Sequence, residues 1–425
     1  MTLHYMSGGT RFNAVGRGPN AVTVSGTAHA SFPIANMHSY RPRQPFSWNA
    51  GATDLRAIVD VDLCPDGGFE GTLATEWQDS DSGDGASTQD SGVKSAGTYS
   101  LKLVPGASGV AARFLVNSVQ VRPGERFTVR AQIRQDGTGE VGVRIYIQEM
   151  NQALNPSGAF VTLSGDALSG VKTSADTSAA FELKTQTFTI PTRAELGGAR
   201  EVGLLLWPYS SDSTVTAGYV DELELIPEIN TLAVVGNNWP GSVAPVWRSD
   251  DDSAFGSAVT RATLTIAKPN IYSLLETGIY ARYWDVKLTG FPNVDVPRMG
   301  ELVMGYSETL AAAPAWGFER TYRREQLRFN TPEGDVHTDG LSDFRRRSAR
   351  WVFPSQAEAE VTEALDELIE ACQHGENPVV VIDDQDGDCI FGRVPPSYTV
   401  THAHVEQWRH ELSLIEEPHM VWIDG

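Results

Sequence analysis

The 425 residues suffice for roughly two to four domains, and a 41 % apolar content excludes a disordered chain. With 54 Asp and Glu against 33 Lys and Arg, the formal charge of −21 repels nucleic acid and anionic lipid and argues against DNA binding. Forty Gly, 23 Pro and few segments at helical period favour an all-β protein with many turns.

The three cysteines, Cys64, Cys372 and Cys389, fit neither a zinc spacing nor a disulfide framework, so free thiols of a reducing compartment are expected. Residues 1–20 are polar and glycine-rich, with no apolar run to serve as a signal sequence, and read as an arm or edge strand that orders only against a partner. No segment reaches the ~20 apolar residues of a membrane span, so no membrane insertion is expected.

In chain order, residues 21–64 read as short strands and loops ending in Leu55–Leu63. Gly67-Gly68-Phe69-Glu70-Gly71 then opens a second unit over 65–228, followed by an acidic Ser/Gly-rich run interrupted by Trp77. Period-two alternation predicts strands with Phe127, Val129, Ala131 and Ile133 on one face, then Val141, Val143, Ile145 and Ile147, then Val202, Leu204 and Leu206. Gly218 to Leu225 closes the unit, which reads as a jelly-roll sandwich. Residues 229–310 resume the first unit. There Trp247 to Phe255 reads as an acidic turn, and Ala281–Gly290 as a strand alternating Trp284, Val286 and Leu288 with Asp285, Lys287 and Thr289. An Ala/Pro linker introduces 311–425. In that unit Ser355 to Glu358 predicts a capping box for a helix with Val361, Leu365, Leu368, Ile369 and Cys372 on one face, and Trp408, His410, Leu412 and Leu414 share the inner face of a late strand.

Three resemblances attach to these motifs. Ala281–Gly290, with Leu55–Leu63 as its expected partner, resembles the core of discoidin-like β-sandwiches, as do Pro33-Ile34-Ala35-Asn36-Met37 and Pro45 to Trp48. Gly68-Phe69-Glu70, Ser95 to Lys102 and Tyr219-Val220-Asp221-Glu222-Leu223 together resemble carbohydrate-binding modules found beside bacterial glycanases. The sandwich with one helix over 311–425 resembles the domain shared by tail-tube and distal-tail proteins of long-tailed bacteriophages. These imply several β-sandwiches: a split discoidin-like unit (21–64 plus 229–310), an inserted carbohydrate-binding-module-like jelly roll (65–228) and a tail-like C-terminal unit.

For glycan binding the outward residues Arg144, Tyr146 and Gln148 are candidates, beside Arg130, Gln132 and Arg134 of the previous strand, together with Trp207 and Trp77. The alternative is that the two tryptophans cover the core rim and the arginines neutralise an acidic surface. Asp221 shares parity with Tyr219, Leu223 and Leu225, so its carboxylate is expected to face the interior, where it needs a partner. Either backbone amides supply one or, as the module resemblance implies, a structural Ca²⁺ held by Glu70 and Asp221 does. Asp383 to Asp388 fails the EF-hand template and reads as a polar turn, and Arg345-Arg346-Arg347 reads either as a solvated edge or as a contact for an acidic neighbouring subunit.

No nucleophile elbow, HExxH or phosphate-cradling loop occurs, and no enzyme is expected. The combined expectation is a structural virion protein of a phage tail tip or baseplate, assembled in the host cytoplasm. It would form a homo-oligomeric ring with other tail proteins and contact host cell-surface glycan. A free bacterial glycan-binding or adhesion protein, or a glycan depolymerase, are the alternatives.

Overall fold

The computed structural model describes residues 3–7, 22–28, 30–31, 33–35, 46–49, 55–121, 124–137, 141–150, 156–160, 180–192, 195–196, 202–211, 215–266, 270–291, 296–310, 319–330, 336–355, 365–366, 368–369, 378–383, 387–394, 399–404, 407–416 and 419–420. The named elements are antiparallel strands apart from the short helix Leu73–Glu76, giving an all-β protein of stacked sheets. The chain divides into two compact units, Asp62–Glu228 and the two flanking stretches Met1–Val61 and Ile229–Gly425.

The unit 62–228 is a two-layer sandwich. One sheet of five strands runs Glu182–Thr189, Arg126–Gly137, Val215–Pro227, Ser100–Val104, Ala86–Asp90; the other, of six, runs Pro156–Phe160, Val141–Met150, Val202–Ser210, Ala111–Leu115, Trp77–Asp79, with Val119–Val121 attached to Val202–Ser210. The alternating residues named above from Phe127 to Leu206 are buried in one shared core. Each such side chain contributes on the order of 1.5–3 kcal/mol by leaving water.

Asp221 is buried as expected, at 1 % exposed, but not on the face of Leu223 and Leu225 that its parity predicts. Val220 stands opposite Ile133 and Asp221 opposite Gln132, but Glu224 stands opposite Arg130, with a register shift between. Glu222 sits in this bulge at φ 46. One extra residue turns the strand over, so Val220, Leu223 and Leu225 all reach the core while Asp221 faces away from it. The bulge is held by the Leu223 N–H, which donates to the Gly67 carbonyl at 2.9 Å. A Cβ at Gly67 would lie 1.7 Å from the Leu223 carbonyl oxygen, so this approach requires glycine.

In the other unit a five-stranded sheet orders Val259–Thr263, Ala244–Asp250, Tyr283–Thr289, Leu55–Asp60 and Val22–Ser25. Leu55 pairs with Leu288 and Asp60 with Tyr283, the distant partnership expected from their patterns. Trp247 and Trp284 pack with ring centroids 4.9 Å apart on the buried face. Trp247 lies within a strand that runs to Asp250, so the acidic turn begins later than its composition suggests. Asp285 is fully buried opposite Arg248, whose Nε donates to its Oδ1 at 2.9 Å while a second N–H reaches Oδ2. This two-pronged bond works against the cost of burying the charge, but burial prevails and raises the Asp285 pKa.

A nine-stranded sheet orders Glu308–Thr309, Leu3–Ser7, Val379–Asp383, Asp388–Arg393, Gln407–Glu416, Val336–Ser355 and Glu319–Asn330, with Thr399–His404 and His419–Met420 attached. Leu3–Ser7 is thus paired within the chain's own sheet and does not wait for a partner. Leu365, Leu368 and Ile369 are buried on helical backbone; Val361, Cys372, the Glu358 end of the capping box and residues 8–20 lie outside the described residues. His410, Leu412 and Leu414 are buried as expected, and the Trp408 side chain lies outside the described set.

Candidate functional site

The aromatic residues gather on the outward face of the six-stranded sheet. Val143, Ile145, Leu204 and Leu206 fill the inward face, so the intervening residues of the same two strands must point the other way. Register places Arg144 opposite Trp207, Tyr146 opposite Leu205 and Tyr209 opposite Ala112. Phe114, two residues along from Ala112, shares that face, with Gln78 opposite it on the neighbouring strand.

Tyr146 and Trp207 lie with ring centroids 4.8 Å apart at 44°. The Arg144 guanidinium carbon sits 3.9 Å from the centroid of the Tyr209 ring. Burial works against the charge on Arg144, but hydrogen bonds to Tyr209 and Tyr146 outweigh it and raise the pKa. The Trp207 indole N–H is shielded from solvent and meets no acceptor among the described residues. This pattern of half-buried rings with a fixed cation can stack on a pyranose face and bond its oxygens.

Of the residues expected here, Arg144, Tyr146 and Trp207 come together. Gln148 is on the same strand as Arg144 and Tyr146, but its side chain lies outside the described residues. Arg130, Gln132 and Arg134 are not beside them. Their strand belongs to the five-stranded sheet, and the outward faces of the two layers look in opposite directions. Trp77 is a further correction: it is fully buried, packs 5.1 Å from Phe69 and donates its indole N–H to the Asp66 carbonyl at 3.2 Å. A ring with no exposed face offers nothing to a ligand.

Phe114 shares the face and was missed, as was Tyr209, which is fully buried against the Arg144 guanidinium and holds it without offering a ring to a ligand. Tyr209 follows Trp207 at strand period, a signal that was legible. Phe114 lies on Ala111–Leu115, too short for alternation to stand out.

Glu70 and Asp221 converge on one loop. Glu70 Oε1 accepts the N–H groups of Thr98 at 2.7 Å and Tyr99 at 3.1 Å. Asp221 Oδ2 accepts those of Ser95 at 2.7 Å and Ala96 at 3.2 Å, and its Oδ1 that of Glu222 at 2.8 Å. The amides of Tyr99 and Thr98 lower the Glu70 pKa, whereas burial raises that of Asp221 against its own amide bonds. Among the described residues no three His, Cys, Asp or Glu are grouped to hold a metal ion. Backbone N–H groups occupy Glu70 Oε1 and both oxygens of Asp221, so a cation at these carboxylates would compete with them.

No family model matches the chain, and no curated protein matches it. Among solved structures it is similar to the enzymatically active domain of tailspike protein 4 of bacteriophage CBA120, at 15 % identity and TM-score 0.27, over 39 % of this chain and 21 % of that one. A family 16 carbohydrate-binding module matches at 17 % identity and TM-score 0.25, over 39 % of this chain and 99 % of the module. The tail of an empty GTA particle matches at 17 % identity and TM-score 0.20, over 28 % of this chain and 88 % of that one. At these TM-scores none of the likenesses decides a function.

Proposed function

We propose that this protein is a non-catalytic component of a phage tail tip or baseplate that holds host-surface glycan on the outward face of its inserted sandwich. The observation that carries the binding half is the half-buried cluster of Tyr146, Trp207 and Arg144 on one sheet face, with the buried Tyr209 holding Arg144 in place. Weak contacts of this size suit a role in which a ring of copies multiplies avidity.

The assembly half draws support from the hairpin of Glu319–Asn330 and Val336–Ser355. Its register sets Arg323 opposite Arg346 and Arg324 opposite Arg345. The register thus gathers cationic residues at one level of the hairpin, and a cationic stretch suits an acidic neighbour. The chain's own charge of −21 makes further copies such neighbours. The discoidin-like and distal-tail-like labels for the flanking units belong to this proposal and rest on the sequence motifs.

Calcium at Glu70 and Asp221 enters the proposal only in competition with the amide bonds, since an ion there must first displace the Ser95 and Ala96 N–H groups. The test of the reading is a host-surface glycan pull-down with the full chain and with Trp207→Ala. Capture by the parent and its loss in the variant are expected. Equal capture by both removes the face from the proposal.

A further inference from the structure

Resting on the glycan-binding reading, we infer that the face selects acidic saccharides, with the Arg144 guanidinium as the group that takes a carboxylate or phosphate of the ligand. The chain is strongly acidic, and its other cations find carboxylates readily. Arg113 lies 3.4 Å from Asp79, Arg282 3.1 Å from Asp60 and Arg134 3.2 Å from Asp136. Arg144 meets no carboxylate among the described residues. It lies over the Tyr209 ring and donates hydrogen bonds to Tyr209 and Tyr146, neutral groups that steady a cation without neutralising it.

Trp207 is directly opposite Arg144 in register. A half-buried cation with no carboxylate, set beside the packed rings of Tyr146 and Trp207, matches a sugar ring that carries an acid group. The ring stacks on Tyr146 and Trp207 while the anion meets the guanidinium. A neutral saccharide would leave the cation uncompensated as water is displaced. Arg144 is thus a specificity residue and the aromatic pair the general platform.

The test is calorimetric titration of the full chain with uronate-containing oligosaccharides, each paired with its carboxyl methyl ester, and with a glycerol-phosphate oligomer. Preference for an anionic probe over the esters by about tenfold or more is expected, weakening as salt is raised. The anionic probe that binds tells a carboxylate source from a phosphate source. Arg144→Gln should bring acid and ester to equal affinity, and the parent's salt dependence stands as independent evidence if that variant folds poorly. Esters bound as tightly as acids, without salt dependence, overturn the inference and leave the glycan reading intact. No binding of any saccharide, acidic or neutral, overturns both. Trp207→Ala, losing acid and ester alike, separates the platform from the selector.

Discussion

The two outward faces of the inserted sandwich are built from the same alternation and end up chemically unlike. On the five-stranded sheet the one large ring, Tyr219, is buried between cations, with Arg134 5.6 Å and Lys102 6.0 Å from its centroid. Each cation has its own carboxylate: Lys102 lies 3.6 Å from Asp90 and Arg134 3.2 Å from Asp136. Thr128 and Thr187 hydroxyls meet at 2.7 Å on the same face. Arg134 Nε and, on the six-stranded sheet, Trp207 Nε1 are alike in being shielded and without an acceptor among the described residues, so the contrast lies in the charges. On the six-stranded sheet the rings are clustered and Arg144 is held by the Tyr209 ring and by hydrogen bonds to Tyr209 and Tyr146, with no carboxylate beside it among the described residues. A face whose cations have carboxylates serves the fold, whereas one whose cation has none has room for an anionic ligand.

Substitutions can break this contrast in a graded way. Trp77→Ala, in the core beneath both faces, should cost about 3–5 kcal/mol in denaturant unfolding of the parent chain. Protein of this variant that remains folded should still bind glycan, which tests the placement of Trp77 as a core residue. Trp207→Ala, half-buried, should cost less stability and yet lower glycan affinity by about tenfold or more in titration, as loss of a stacking anchor does. Tyr219→Phe on the other face should leave affinity unchanged; a loss matching that of Trp207→Ala would erase the distinction between the faces.

The smaller effects concern the loop held by Glu70 and Asp221. The lowered pKa of Glu70 means its stabilisation is present above its ordinary value of 4.5 and is lost as pH falls below that through the folded value. The raised pKa of Asp221 has the opposite sign: ionisation favours the unfolded chain, so this group's contribution declines as pH rises from 3.8 through its folded value. Melting curves across that range should therefore lose part of their acid sensitivity in Glu70→Gln and not in Asp221→Asn. With both carboxylates turned to amides, a chelator should leave the melting temperature unchanged. A rise on adding calcium that Asp221→Asn abolishes would place an ion there instead.

Much of the fold was legible because each layer buries one face only, which stamps period-two alternation on Phe127–Ile133, Val141–Ile147 and Val202–Leu206. The pairing of Leu55–Asp60 with Tyr283–Thr289 was legible for the same reason, their apolar residues being in phase. Alternation fails where the chain changes side or sheet. A single bulged residue at Glu222 reversed the face of Asp221, and counting parity cannot register an unpaired residue. Between Gly137 and Val141 the chain passes from one sheet to the other, so consecutive strands that read as neighbours put Arg134 and Arg144 on opposite surfaces. Trp77 stands in a polar, acidic run, and nothing local in that run reveals that it seals the core against Phe69.

The most direct measurement is glycan binding by the full chain, comparing the parent with Trp207→Ala and Tyr219→Phe at matched folded fraction. Binding that is lost in Trp207→Ala and kept in Tyr219→Phe is the expected result and assigns function to the six-stranded face. Binding that survives Trp207→Ala, or that is lost equally in both variants, would contradict it.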